Sequence, residues 1–169
     1  MTHLSEVPDG VGLRRAFAHF PSGVVAVCAE IDGQRYGIAV STFVPVSLDP
    51  PLVSFCVQNT SATWQRLSQV DRLGLSLLGL GQEHTARAFG TRGGERFRDV
   101  EVYPGNRGAV FIGGASAWLE GTVDAQVPAG DHKVVLLRVD RLATAGEVEP
   151  LVFHGSRFRR LHVEEAVAS

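Results

Sequence analysis

ASAWLEGTVDAQVPAGDHKVVLLRVDRLATA, residues 115–145, decides the architecture. Its first part, ASAWLEGTVDAQV (115–127), alternates apolar and polar residues with the period of two that puts one face of a strand against a core. PAGD then supplies turn residues, and HKVVLLRVDRLATA (132–145) runs back, so the stretch predicts one long β-hairpin. Working outward, VVAVCAEI (24–31), DGQ and RYGIAVSTFV (35–44) predict a second hairpin. LVSFCVQ (52–58), RLGLSLLG (72–79) and PLVFH (150–154) read as further strands. Helical spacing is confined to short pieces. VGLRRAFAHF (11–20) places Val11, Phe17, Ala18 and Phe20 at helical intervals and stops at Pro21-Ser22-Gly23. ATWQRLSQV follows Asn59, Thr60 and Ser61 as candidate caps, and GQEHTARAFG (81–90) ends on Gly90. TRGGERFRDVEVYPGNRG (91–108) lacks a clean period and reads as a long loop. Strands that do not alternate regularly with helices favour a mostly β fold, an antiparallel barrel with a few short peripheral helices, over a doubly wound parallel sheet.

The chain has 169 residues, enough for one domain with a substantial core. Residues 11–161 form that domain, between a flexible N-terminal segment (1–10) and a C-terminal tail (162–169). A net charge of −2 and a single lysine, Lys133, leave no electrostatic footprint for nucleic acid. The densest basic cluster, Arg157, Arg159 and Arg160, reads as a solvated face. No apolar run approaches the length of a membrane span, and there is no signal-peptide pattern. Cys28 and Cys56 sit in apolar runs without C-x-x-C spacing and read as buried free thiols. A soluble, cytoplasmic protein without a metal site is expected.

Several chemistries lack their motifs: there is no G-x-G-x-x-G after a strand, no P-loop, no H-E-x-x-H and no G-x-S-x-G. Three clusters remain. GIAVSTFVPVSLDPPLVSFCV (37–57) carries Ser41, Thr42 and Ser47 among apolar neighbours and breaks on Asp49-Pro50-Pro51. Prolines there would take the chain out of the sheet and free backbone groups for a ligand; an edge strand with hydroxyls in water is an equal reading. NTSATW (59–64) offers a helix start with three hydroxyls, a setting for phosphate or plain capping. AGDH (129–132) puts His132 at a strand rim, beside a ligand or simply on the surface.

In this order the clusters resemble the short-chain flavin reductase family, whose fold is the FMN-binding split barrel of Greek-key type. The resemblance runs from RRAFAHFPSGVVAVCA through TSATW, LGLSLL, ARAFG and AWLEGTV to AGDHKVVLLRV and PLVFHGSRFRRL. It implies an NAD(P)H:flavin oxidoreductase that passes hydride from NADH or NADPH to FMN or FAD and supplies reduced flavin to a partner monooxygenase. It also implies a homodimer and no charged catalytic group. Carried over by residue, Val40 to Ser47, including Phe43, become the flavin wall, with Ser41 and Thr42 hydrogen-bonding to it. Asp49 and Pro50 shape the ring's edge, and Asn59, Ser61 and Thr63 hold the phosphate end. Phe89 closes over the flavin, Phe158 stands where a Tyr often closes the site, and His132 takes the nicotinamide role. Ala39, Thr42 and Phe158 depart from the usual residues. A relative that retains its flavin, a flavin- or haem-binding barrel without enzymatic activity, and a purely structural module are the competing readings.

Overall fold

The structure, a computed structural model, describes residues 6, 9–91 and 93–162. Most of the expected terminal segments, 1–10 and 162–169, therefore lie outside the described residues. The first helix, α1 (Gly10–Phe17), starts where the Asp9 carboxylate accepts from the Gly12 amide at 2.9 Å. A short β1 (Ser22–Gly23) precedes β2 (Val25–Ile31) and β3 (Gln34–Val40), which form the expected hairpin across Asp32-Gly33. β4 (Val44–Leu48) and β5 (Pro51–Gln58) form another. α2 (Ala62–Leu67) is capped by Ser61, whose hydroxyl accepts from the Trp64 amide. β6 (Leu73–Leu77), α3 (Glu83–Gly90), β7 (Val102–Pro104), a single 3₁₀ turn (Asn106–Gly108) and β8 (Val110–Ile112) follow. The long hairpin is β9 (Ala117–Ala129) with β10 (His132–Thr144), and β11 (Val152–His154) pairs with β12 (Arg157–Arg159).

Seven of these strands make one antiparallel sheet in the order β3-β2-β6-β9-β10-β5-β4. Its two rims, β3 and β4, are consecutive in the chain and joined only by Ser41, Thr42 and Phe43. Four residue steps reach at most about 14 Å, so the sheet must curl until its rims nearly meet. No ladder joins β3 to β4. The result is a split barrel. Thr42 bridges to β5 instead: its hydroxyl accepts from the Cys56 amide at 2.8 Å and donates to the Cys56 carbonyl at 3.3 Å.

Alternation fills the interior. Val25, Val27, Ala29, Val53, Phe55, Val57, Leu73, Leu75, Val135 and Leu137 point inward, and Trp64 packs edge-on against Phe55 with centroids 5.5 Å apart. A second core of Ala26, Cys28, Leu78, Phe89, Val110 and Ile112 lies on the other face of β2, beneath α3 and β8. β2 is thus buried on both sides, which accounts for its unbroken apolar run. β8 crosses β6 at Gly74, where an added Cβ would stand 2.2 Å from the Val110 carbonyl oxygen. Ser76 and Trp118 fasten this crossing, the Ser76 hydroxyl accepting from the Ile112 amide and the Trp118 indole donating to the Ile112 carbonyl.

Three expectations are corrected. The strand expected over 35–44 ends at Val40, because the chain must cross the split there. Asp49-Pro50-Pro51 does not leave the sheet: it is the turn of the β4–β5 hairpin, with Leu48 paired to Pro51 and Ser47 to Leu52. Proline fits at a turn and as the first residue of a strand, so the break frees no backbone run. The expected loop over 91–108 contains β7 and the 3₁₀ turn, elements too short to carry a period.

Candidate functional site

A cavity of about 630 Å³ opens at the end of the barrel where β3, the Ser41–Thr42 link and the last residues of β5 converge. α2 brings Ser61 and Thr63 to it, α3 brings Phe89, and the start of β10 brings His132. The structure therefore gathers Val40, Ser41, Thr42, Ser61, Thr63, Phe89 and His132 around one space. One wall, with Ile38, Val40 and Phe89, is apolar. The α2 side is lined with hydroxyls.

The remaining expected residues lie outside this lining. Phe43 packs toward the barrel interior. Ser47, Asp49 and Pro50 belong to the β4–β5 hairpin, at the opposite end of β5 from the cavity residues Cys56 to Gln58. Phe158 packs against Phe153 in a tilted pair with centroids 5.4 Å apart, beneath the Arg87 guanidinium. Asn59 turns away from the hydroxyls: its side-chain amide donates to the Gly130 carbonyl at 3.1 Å, and its backbone amide donates to the Asp131 carbonyl at 3.0 Å. Asn59 holds the Gly130-Asp131 turn, which Gly130 permits by adopting a φ of 63°.

That turn orients His132. Its Nδ1 stands 2.7 Å from the Asp131 carboxylate. A carboxylate only accepts, so Nδ1 carries a proton in this contact and leaves Nε2 facing away from Asp131. The hydrogen bond from His132, and then its charge, hold the Asp131 carboxyl below the usual carboxylate range.

Arg96 was not singled out from the sequence. It reaches the cavity from the segment that read as loop, and three acceptors fix it: the Gly37 carbonyl at 2.6 Å, the Thr63 hydroxyl at 2.9 Å and the Thr91 carbonyl at 2.8 Å. Its Nε–H and one Nη2–H have no acceptor among the described residues. A guanidinium fixed in this way beside Thr63 is preorganised for a phosphate. The available sequence signal was the excess of arginine over acid in TRGGERF. Cys28, by contrast, lies under Gly37 with its thiol pushed strongly up by burial, which keeps it protonated and inert.

The chemistry of these residues suits a flavin nucleotide. A cation with neighbouring hydroxyls matches the phosphate, and the apolar wall ending at Phe89 matches a planar ring. Among the described residues no group of three or more potential metal ligands forms, and no helix is long and apolar enough to cross a membrane.

Comparison with known proteins agrees. The family described as "Flavin reductase like domain" matches residues 17–162. An NADH-dependent FAD reductase of Streptomyces globisporus is 36% identical over 162 residues, covering 93% of this chain and 88% of that protein. The structure of an NADH:FAD oxidoreductase from the same species, in complex with NAD and FAD fragments, superimposes with a TM-score of 0.89 at 35% identity, covering 95% of this chain and 98% of the other. The styrene monooxygenase flavin reductase from Pseudomonas putida S12 gives a TM-score of 0.81 at 30% identity, covering 90% and 98%.

Proposed function

This chain belongs to the flavin reductase-like family, and from that premise we propose that it is an NAD(P)H:flavin oxidoreductase that supplies reduced flavin to a monooxygenase partner. The observation that carries the reading is the single cavity in which Arg96 and Thr63 stand at one side, Phe89 forms a wall and His132 stands at the rim. When bound, the flavin supplies the chemistry of accepting a hydride at N5 from the nicotinamide.

What the chain supplies is position. Arg96, Thr63 and Thr60 would hold the flavin phosphate. Ile38, Val40 and Phe89 would hold one face of the ring and exclude water from it. His132, fixed by Asp131, would orient the nicotinamide at the open side. Holding two reactants in register can remove on the order of 7 to 11 kcal/mol of barrier, so no charged acid or base is required.

FMN and FAD, and NADH and NADPH, remain the candidate pairs, with NADH favoured by the relatives' names. The reading extends to a cytoplasmic homodimer. Free Cys28 and Cys56 suit a reducing compartment. The edge strand β4 leaves Val44, Val46 and Leu48 exposed, the last at 96%, a surface that isolated monomers rarely present.

The experiment is anaerobic mixing of the protein with NADH or NADPH and excess FMN or FAD, following the oxidised-flavin absorbance. Multiple-turnover bleaching is expected and identifies both cofactors. Flavin binding without bleaching by either nicotinamide would overturn the reductase reading.

A further inference from the structure

The start of α2 and the tip of the β9–β10 hairpin are far apart in the chain, yet two sets of hydrogen bonds tie them together. The β5–β10 ladder ends where Gln58 pairs with His132. Just past it, Asn59 donates twice to the hairpin tip, from its backbone amide to the Asp131 carbonyl at 3.0 Å and from its side-chain amide to the Gly130 carbonyl at 3.1 Å. Further along, the Trp64 indole donates to the Gln126 side chain at 3.0 Å. Ser61 caps α2, so Asn59 is not needed to start the helix. Among the described residues, the bond to Gly130 is the one hydrogen bond the Asn59 side chain makes.

Each end of this connection carries a group that faces the cavity. Thr60, the residue after Asn59, and Thr63 line it beside Arg96, whose guanidinium donates to the Thr63 hydroxyl. At the other end, the Asp131 carboxylate accepts from His132 Nδ1 at 2.7 Å. The route from the hydroxyls to the imidazole is therefore continuous. It runs through Thr60, Asn59 and the Gly130-Asp131 turn to His132, and every step is a peptide link or a hydrogen bond. The turn itself is open to water, with the Asp131 side chain 93% exposed, and its glycine adds little stiffness. Asn59 supplies the restraint that the turn's own residues lack.

We propose that Asn59 couples the two ligands of the site. A flavin phosphate held at Thr60, Thr63 and Arg96 restrains the chain at Asn59, and with it the turn that sets His132, so that the nicotinamide binds more tightly once the phosphate is in place. Asn59 is thus a positioning residue for the nicotinamide and not a phosphate ligand. The proposal rests on the flavin reductase reading, which supplies both ligands. Its physical basis is order: a nicotinamide that meets a turn already held still gives up less conformational freedom on binding. Linkage makes the effect reciprocal, so the nicotinamide must tighten FMN by the same factor.

Riboflavin is the probe, because it has the ring of FMN without the phosphate. NAD+ and NADP+ are titrated in turn against protein saturated with FMN or with riboflavin; all partners are oxidised, so nothing turns over. The wild type is expected to bind the nicotinamide about fivefold more tightly beside FMN than beside riboflavin, the lower end of coupling between sites. Asn59→Ala and Asn59→Asp, which remove the donor to Gly130, should bring that ratio close to one while the Kd of FMN changes less than twofold. Asn59→Gln, which keeps an amide, should restore part of the ratio. A merely structural role would lower the melting temperature of the variants and leave the ratio intact. A ratio of one in the wild type, a ratio that survives both substitutions, or no binding of either nicotinamide overturns the proposal. So does a tenfold loss of FMN binding in Asn59→Ala, which would return Asn59 to the phosphate. The titration moves no hydride, so the two readings fail separately. Coupling in a protein that bleaches no flavin with NADH or NADPH would sink the reductase reading alone, and bleaching with a ratio of one would sink the coupling alone.

Discussion

At the scale of single residues, the site separates groups that would touch a ligand from groups that hold them in place. His132→Ala is expected to raise the KM for NADH about tenfold while the FMN Kd, read by fluorescence quenching, changes less than twofold; equal effects on both would remove His132 from the nicotinamide side. Asp131→Asn tests positioning. It should raise the same KM several-fold with little change in kcat and move the imidazole ¹⁵N shifts, because the neutral amide no longer fixes the Nδ1 proton. The Asp131 carboxyl is held low, so its contact with His132 is fully present above the ordinary Asp range and is lost only as pH falls through the lowered value. The pairing is therefore intact at neutral pH. Arg96→Ala should weaken FMN binding roughly tenfold to a hundredfold, and Arg96→Lys should recover only part of it, since an ammonium lacks the planar fork. Ser41, Ser61, Thr63 and His132 stand in short patterned stretches, Phe89 entered only through the family resemblance, and all five line the cavity. Arg96 was not legible, because its segment has no period and its partners at Gly37 and Thr63 are distant in sequence. Asn59 was placed among the phosphate ligands for a similar reason: its acceptor, the Gly130 carbonyl, lies 71 residues away.

At the scale of elements, the β2–β3 and β9–β10 hairpins were legible, while the β4–β5 hairpin and the crossings were not. Apolar or alternating runs bounded by turn residues located β2, β3, β5, β6, β9, β10 and the three-residue β11, whereas β7, β8 and β12, also three residues each, lie in stretches with no such run. What holds β7 and β8 down is a buried acid. Glu120 on β9 accepts from the Asn106 backbone and side-chain amides, both at 3.0 Å, and so pins the turn in which Arg107 adopts a φ of 46°. Desolvation alone would raise this carboxyl, but the Asn106 hydrogen bonds and the charges of Arg141 and Arg72 outweigh it and hold it low. Its contribution is present above the ordinary Glu range and lost as pH falls through the lowered value. Glu120→Gln should therefore reduce the melting temperature at pH 7 and flatten the acid limb of the stability profile; an unchanged acid limb would show that the clamp is idle. Gly74→Ala should be worse, costing about 3 kcal/mol or more by chemical denaturation, because the Val110 backbone cannot give way without dislodging β8.

At the scale of the whole molecule, exposed apolar side chains gather on β4 and α1: Val44, Val46 and Leu48 on the edge strand, and Val11 and Phe17 on a helix that buries none of its residues. The sequence placed Val11 and Phe17 at helical intervals but could not say that the barrel leaves both bare. Leu48→Glu is expected to shift the protein from dimer to monomer in sedimentation velocity, and a wild type that sediments as a monomer would refute the dimer. The strand order has a further effect during synthesis. The β9–β10 hairpin sits in the middle of the sheet, between β6 on one side and β5 on the other, although it is made after both. A ribosome that has released the first hundred residues has produced two ribbons, β3-β2-β6 and β4-β5, linked only through Ser41–Phe43 and with no ladder between them. Their apolar faces stay open until the β9–β10 hairpin, which ends at Thr144, has emerged, so the central sheet closes through strands made after those it joins.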